Sequence, residues 1–145
     1  MRYSRSLGRE ITLITRSLRT YLDRELEELS LGSGHFFLLM ALYCKEGISQ
    51  KSLSDYLGID KGTTTRLIRK LEKLKLVEVK EDPEDKRVNR VFLTKKGHEL
   101  RERLKKISDK FSQEALKGFS GNEKKQLFNL LEKICENTLH FKEEL

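Results

Sequence analysis

Residues 49–97 read SQKSLSDYLGIDKGTTTRLIRKLEKLKLVEVKEDPEDKRVNRVFLTKKG. Ser49 is placed to cap a short helix over 50–57, in which Leu53 and Leu57 share a face. Gly58 stops it, because glycine enters the left-handed turn after a helix without a Cβ penalty. Asp60 caps a second helix, 61–74, whose apolar stripe is Leu67, Leu71 and Leu74 with Ile68 alongside. The period then drops to two. Val77-Glu78-Val79-Lys80 alternates as a strand does, Asp82 to Arg87 form a polar turn, and Val91 and Leu93 resume the alternation. A short helix, a glycine turn, a second helix and a two-stranded ribbon make a winged helix-turn-helix.

The charge supports a role for this segment. The whole 145-residue chain has a net charge of +7, with 30 Lys+Arg against 23 Asp+Glu. Residues 1–32 and 102–145 each contribute +1, whereas 61–80 alone carry +5. A solvated helix face is the plain explanation of such a cluster, but its neighbours favour duplex DNA. The helix 61–74 is expected to enter the major groove. Its first half, Lys61, Gly62, Thr63, Thr64 and Thr65, is small and polar, and threonine can meet phosphates, base edges or the thymine methyl. Arg66, Arg69 and Lys70 follow, and the two arginines have guanidinium forks suited to guanine or phosphate. Ser49 and Gln50 open the preceding helix, whose free N–H groups favour a phosphate. On the ribbon, Lys86, Arg87 and Arg90 are expected to reach backbone or minor groove.

Working outward, the flanks are helical. Leu7, Ile11, Ile14, Leu18, Leu22, Leu26 and Leu29 stripe a helix over 6–29. Ser33 is read as the cap of a nearly all-apolar helix from His35 to about Lys45, the expected centre of the fold. Leu100, Leu104, Ile107, Phe111 and Ala115 mark one helix beginning at Thr94 and ended by Gly118. Ser120 and Glu123 form a capping box before a last helix carrying Leu127, Leu130, Leu131, Ile134, Leu139 and Phe141. The fold class is therefore mainly α with a two-stranded β wing, and dimerisation helices at both ends. The organisation expected is a single domain, 1–145, with a DNA-binding lobe at 33–97 and a helical dimerisation lobe formed by 1–32 and 98–145. Two copies packing their outer stripes give a two-fold homodimer, and so a palindromic double-stranded DNA site with half-sites ~34–36 Å apart.

The chain resembles the MarR family of transcriptional regulators over essentially its whole length. Residues 49–57 are similar to the family's first motif helix and residues 61–72 to its recognition helix. Asp85-x-Arg87, followed by Leu93-Thr94-Lys95-Lys96-Gly97, is similar to its wing signature. The resemblance implies that Arg87 contacts DNA at the wing and that Asp85 holds the wing by pairing with an arginine. It implies a dimeric repressor released by a small aromatic or phenolic effector, bound where the dimer helices meet the winged part. Arg16, His35, Phe36, Met40, Tyr43 and Phe111 are the candidates for that cleft, with ordinary core as the competing role of the apolar ones. Three positions depart from the pattern. Thr64 stands where the family has an apolar residue, Ser54 where alanine is frequent, and Lys75 where glycine is usual.

Other classes find little support. There is no phosphate loop, nucleophile elbow or metal triad, so no enzyme, metal or cofactor is expected. His35, His98 and His140 are scattered. Cys44 and Cys135 are too few for a disulfide framework, suit a reducing cytoplasm, and are expected to be buried and structural. No apolar run is long enough to span a membrane, and the N-terminal residues lack the apolar core of a signal peptide. The rival class is a winged-helix module whose basic face meets an acidic protein.

Overall fold

A computed structural model describes residues 5–145. The first residues, read above for a signal segment, lie partly outside the described residues. The chain forms two compact units, one ending at Ser108 and the other Asp109–Leu145.

The first unit opens with α1 (Leu7–Glu25), capped by Ser6, and a 3-10 turn over Glu27–Leu29. Helix α2 (Ser33–Cys44) starts two residues earlier than the sequence suggested. Ser33 is not its cap. Gly32 holds that position, and Asp23 Oδ1 on α1 accepts from the Ser33 N–H at 2.7 Å. A carboxylate on a neighbouring helix thus takes one of the free N–H groups at the start of α2.

Next come α3 (Gln50–Leu57) and α4 (Lys61–Lys73). Ser49 and Asp60 are their caps, and Gly58 has φ 66 between them. The wing strands are β2 (Val77–Glu81) and β3 (Asn89–Leu93), paired antiparallel with Val79 opposite Val91. The expected two-stranded ribbon is in fact a three-stranded sheet. A two-residue strand, β1 (Ile48–Ser49), pairs antiparallel with the other edge of β3, which becomes the central strand. Two residues carry no visible alternation, so only their partner makes them a strand.

The helix expected from Thr94 onward is interrupted at Leu100, giving α5 (Lys95–Glu99) and α6 (Arg101–Ala115). The Tyr43 hydroxyl donates to the Gly97 carbonyl at 2.7 Å, the acceptor that a continuous helix would offer to Arg101. The last helix, α7 (Gly121–Glu143), begins with the Ser120–Glu123 capping box read from the sequence.

The core lies in the first unit, where Leu22, Leu26, Leu38, Leu39, Leu53, Ile68, Leu71, Val91 and Leu104 are almost completely buried. The C-terminal part of α1, and Leu104 and Ile107 of α6, belong to the core that holds the winged elements. Helix α7 has no buried residue. Among the described residues, no helix is long and apolar enough to cross a membrane.

Lys75 takes the left-handed conformation, φ 60, at the turn out of α4. Its N–H donates to the Glu72 carbonyl and that of Leu76 to the Leu71 carbonyl, so the turn is hydrogen-bonded despite the strain. Lys75→Gly is expected to raise the unfolding free energy by up to about 1 kcal/mol, read from urea midpoints. Equal or lower stability would show that glycine's extra freedom in the unfolded chain outweighs the relief.

Candidate nucleic-acid interface

The geometry is set by three local devices. At the start of α3, Ser49 Oγ accepts from the Ser52 N–H at 3.1 Å. At the start of α4, Asp60 accepts from both the N–H (2.7 Å) and the hydroxyl (2.8 Å) of Thr63. Those bonds, the backbone one first, hold the Asp60 carboxyl below its ordinary range, so it stays ionised at the helix start. At the wing tip, Arg87 donates through Nε and Nη2 to the two oxygens of Asp85, at 3.1 and 3.3 Å. That pairing holds the Asp85 carboxyl low, and the arginine that the resemblance assigns to Asp85 is Arg87 itself.

These devices bring Ser49, Gln50, Lys61, Thr65 and Arg87 around one open cleft of about 340 Å³ between α3, α4 and the wing. Lys51 and Asn89 also line it and escaped the sequence reading. Lys51 follows directly on Gln50 and could have been found by its charge. Asn89 required the register of β3. Thr65 donates to the Lys61 carbonyl, so its hydroxyl oxygen remains able to accept at the cleft wall. Gly62, Arg66 and Arg69 are exposed along α4, and Lys86 is exposed on the tip. Arg66 donates to the Thr63 hydroxyl at 3.2 Å, which aims it along the start of the helix.

Three of the candidates take other roles. Thr64 is only 1% exposed. Its hydroxyl accepts from Ser54 Oγ at 2.7 Å and donates to the Asp60 carbonyl at 3.0 Å, inside the packing of α3 on α4. It is a buried hydroxyl at the floor of that cleft, and its spacing to Ile68 and Leu71 places it on the buried stripe. Two departures from the family pattern, Ser54 and Thr64, are thus partners of each other. Lys70 lies away from the cleft, over a groove shared with Asp23, Glu27 and His35. Arg90, its side chain 42% exposed, bonds within the protein, donating through Nε to Asp82 and through Nη1 to the Gly47 carbonyl at 3.1 Å.

The Leu93-Thr94-Lys95-Lys96-Gly97 stretch gains a physical meaning. Thr94 caps α5 by accepting from the Gly97 N–H, donates its hydroxyl to the Lys75 carbonyl at 2.6 Å, and donates its N–H to the Leu76 carbonyl at 3.0 Å. Lys96 Nζ donates to the Leu74 carbonyl at 3.0 Å. The motif fastens the base of the wing to the end of α4.

Within the first unit, the effector candidates do not converge. An apolar cavity of about 450 Å³ is lined by Phe37, Met40, Tyr56, Leu57, Ile59 and Leu67, with Arg19 and Thr63 on its wall. Met40 is the one candidate on it. Phe36 is core, and Arg16 lies on a separate groove of α1. His35 accepts from the Gly32 N–H through Nδ1, and burial, then the Lys70 charge, holds it below its ordinary pKa. Burial pushes the Tyr43 phenol up to about 12. Phe111 belongs to the second unit. Cys44 and Cys135, expected to be buried, are both exposed. Cys44 stands past the buried part of α2, at the wall of the apolar cavity.

A sequence profile of the MarR family matches residues 31–88. The chain is 30% identical over 129 residues to the uncharacterised HTH-type transcriptional regulator YybA of Bacillus subtilis, spanning 89% of this chain and 86% of that protein. It superposes on a crystal structure of a MarR transcriptional regulator from Methanosarcina mazei with TM-score 0.91 at 40% identity, covering 93% of this chain and 97% of the other. It also superposes on a mutant MarR from E. coli complexed with operator DNA, with TM-score 0.77 at 29% identity, covering 88% and 92%.

Proposed function

The chain belongs to the MarR family of transcriptional regulators, and from that premise we propose that it is a cytoplasmic homodimeric repressor that binds palindromic duplex DNA and is released by a small aromatic or phenolic effector. It is a DNA-binding regulator and not an enzyme. The observation that carries the reading is the convergence of the α3 N-terminus, the first half of α4 and Arg87 on one polar, basic cleft. In this reading α4 lies in the major groove, presenting Lys61, Thr65, Arg66 and Arg69. Ser49 and Gln50 offer a phosphate the free N–H groups of α3, and Arg87 follows the backbone or minor groove.

Two features support the dimer. Leu7, Ile11 and Ile14 on α1 are 43–60% exposed, and Phe128, Leu130, Leu131, Leu139 and Phe141 on α7 are 40–64% exposed. Faces of this size are normally covered in a soluble protein. The effector reading is supported by the apolar cavity beside α4, with Arg19 stacked on Phe37 at 5.9 Å as the cation for a carboxylate or phenolate. A ligand there would touch Thr63 and Leu67 of the reading helix, which couples occupancy to DNA affinity.

Selection of bound sequences from a pool of random duplexes by the pure protein is the direct test. A palindrome is expected. Recovery without any enriched sequence would favour the protein-interaction module. Affinity for a recovered duplex should fall with salt at a log-log slope near −0.9 per phosphate contact. Arg87→Ala is expected to weaken binding about ten-fold and to flatten that slope, with the dimer intact by light scattering. Unchanged affinity would remove the wing from the interface. Aromatic carboxylates that alter neither melting temperature nor DNA affinity would remove the effector.

A further inference from the structure

Arg87 reaches the cleft from the wing tip, yet its side-chain bonds stay within the tip, to Asp85 two residues away. Something else must orient the tip. Asp82 sits at the centre of it. Its Oδ1 accepts from the N–H groups of Glu84 at 2.8 Å and Asp85 at 3.3 Å, its own N–H donates to the Val88 carbonyl, and the Val88 N–H donates back to Asp85. Its other oxygen, Oδ2, receives Arg90 Nε, and the Asp82 side chain is only 14% exposed. Arg90 in turn donates Nη1 to the carbonyl of Gly47, 43 residues away in the connection between α2 and β1. That connection is anchored in turn, since the Gly47 N–H donates to the Val91 carbonyl and Glu46 accepts from the Leu93 N–H at 2.8 Å.

We propose that Asp82 and Arg90 are positioning residues for DNA binding: Arg90 bridges the body of the winged unit to Asp82, and Asp82 shapes the tip that presents Arg87. The proposal rests on the reading of Arg87 as a wing contact. A guanidinium is suited to the task because Nε and Nη1 face two acceptors in fixed directions, here a carboxylate and a carbonyl, whereas an ammonium carries its donors on one nitrogen and must draw both acceptors to a single point. The strand pairing of β2 with β3 ends at Glu81 and Asn89, so the direction of the seven residues between them is set by these side-chain and turn bonds, together with that of the Arg87 N–H to Asp85 Oδ1 at 3.1 Å.

The sign of the effect separates positioning from direct contact. Asp82→Ala removes a negative charge from beside the DNA, which by electrostatics alone would tighten binding, and it frees Arg90. The expected result is the reverse, a roughly ten-fold loss of affinity for a duplex recovered by the selection, with the dimer intact. Arg90→Lys keeps the charge and should show a similar loss. In either background, adding Arg87→Ala should cost less than about two-fold more, because its contact is already lost. Tighter or unchanged binding by Asp82→Ala, parental binding by Arg90→Lys, or losses that multiply with Arg87→Ala would each overturn the proposal while leaving the wing contact in place. Should Asp82→Ala fail to fold, the Arg90→Lys cycle decides alone. Parental affinity in Arg87→Ala would instead overturn the wing contact, and this proposal with it.

Discussion

Gly97→Ala is expected to lower the unfolding free energy by about 3 kcal/mol and the melting temperature by on the order of 10 °C. The position is helical, within α5, and its φ is not left-handed, so the reason is space and not backbone freedom. A Cβ built there would overlap the carbonyl oxygen of Leu76 and approach Leu93 Cδ2 to 3.2 Å. Backbone cannot yield as the end of a flexible side chain can. The same carbonyl accepts the Thr94 N–H, and Gly97's own carbonyl accepts the Tyr43 hydroxyl. Separating α5 from Leu76 therefore stretches the Thr94 bonds that fasten the wing to α4. DNA affinity should fall together with stability. Equilibrium urea unfolding checks the first and titration of a recovered duplex the second. A loss of stability below about 1 kcal/mol would mean that the wing base shifts without breaking those bonds.

Thr64→Val should be nearly as damaging, about 2 kcal/mol, although the two side chains have almost the same shape. Valine cannot accept from Ser54, and Ser54 is only 5% exposed, so its hydroxyl is left buried without its partner. Ser54→Ala alone should cost less, since Thr64 keeps its bond to the Asp60 carbonyl. The double variant Ser54→Ala/Thr64→Val removes both hydroxyls and should recover most of the loss, because replacing both partners by apolar groups leaves nothing unsatisfied. Unfolding curves of the four proteins give the coupling directly. Additive losses would mean that the two hydroxyls stabilise the packing of α3 on α4 independently.

Much of the fold was legible because its signals act within a turn or two of chain. Ser49, Asp60 and the Ser120–Glu123 pair cap helices through donors no more than three residues away. Gly58 stops α3 through its own φ, and the change of period at Val77 announces the wing. The basic face of α4 followed from helical spacing alone. The charge excess at 61–80, and the resemblance carried by Asp85, Arg87 and Leu93 to Gly97, were enough to direct attention to DNA.

The rest depended on partners far along the chain. Whether a polar side chain faces a groove or the core is not written in its identity. Thr64 falls on the stripe of Ile68 and Leu71 by spacing, but its use as a buried hydroxyl appears only when Ser54, ten residues away, is brought within 2.7 Å of it. Arg90 resembled Arg87 until Gly47 and Asp82 took its donors. Asp23 on another helix takes a free N–H at the start of α2, β1 exists only as an edge of β3, and Phe36, Arg16 and Met40, proposed for one effector cleft, went to the core, to a groove of α1 and to the apolar cavity. Capping, periodicity and backbone preference are local free energies, readable from neighbouring residues. The assignment of a hydrogen-bonding group to solvent, to DNA or to another part of the chain is set by packing, which brings distant donors and acceptors together and leaves only some of them free to bind.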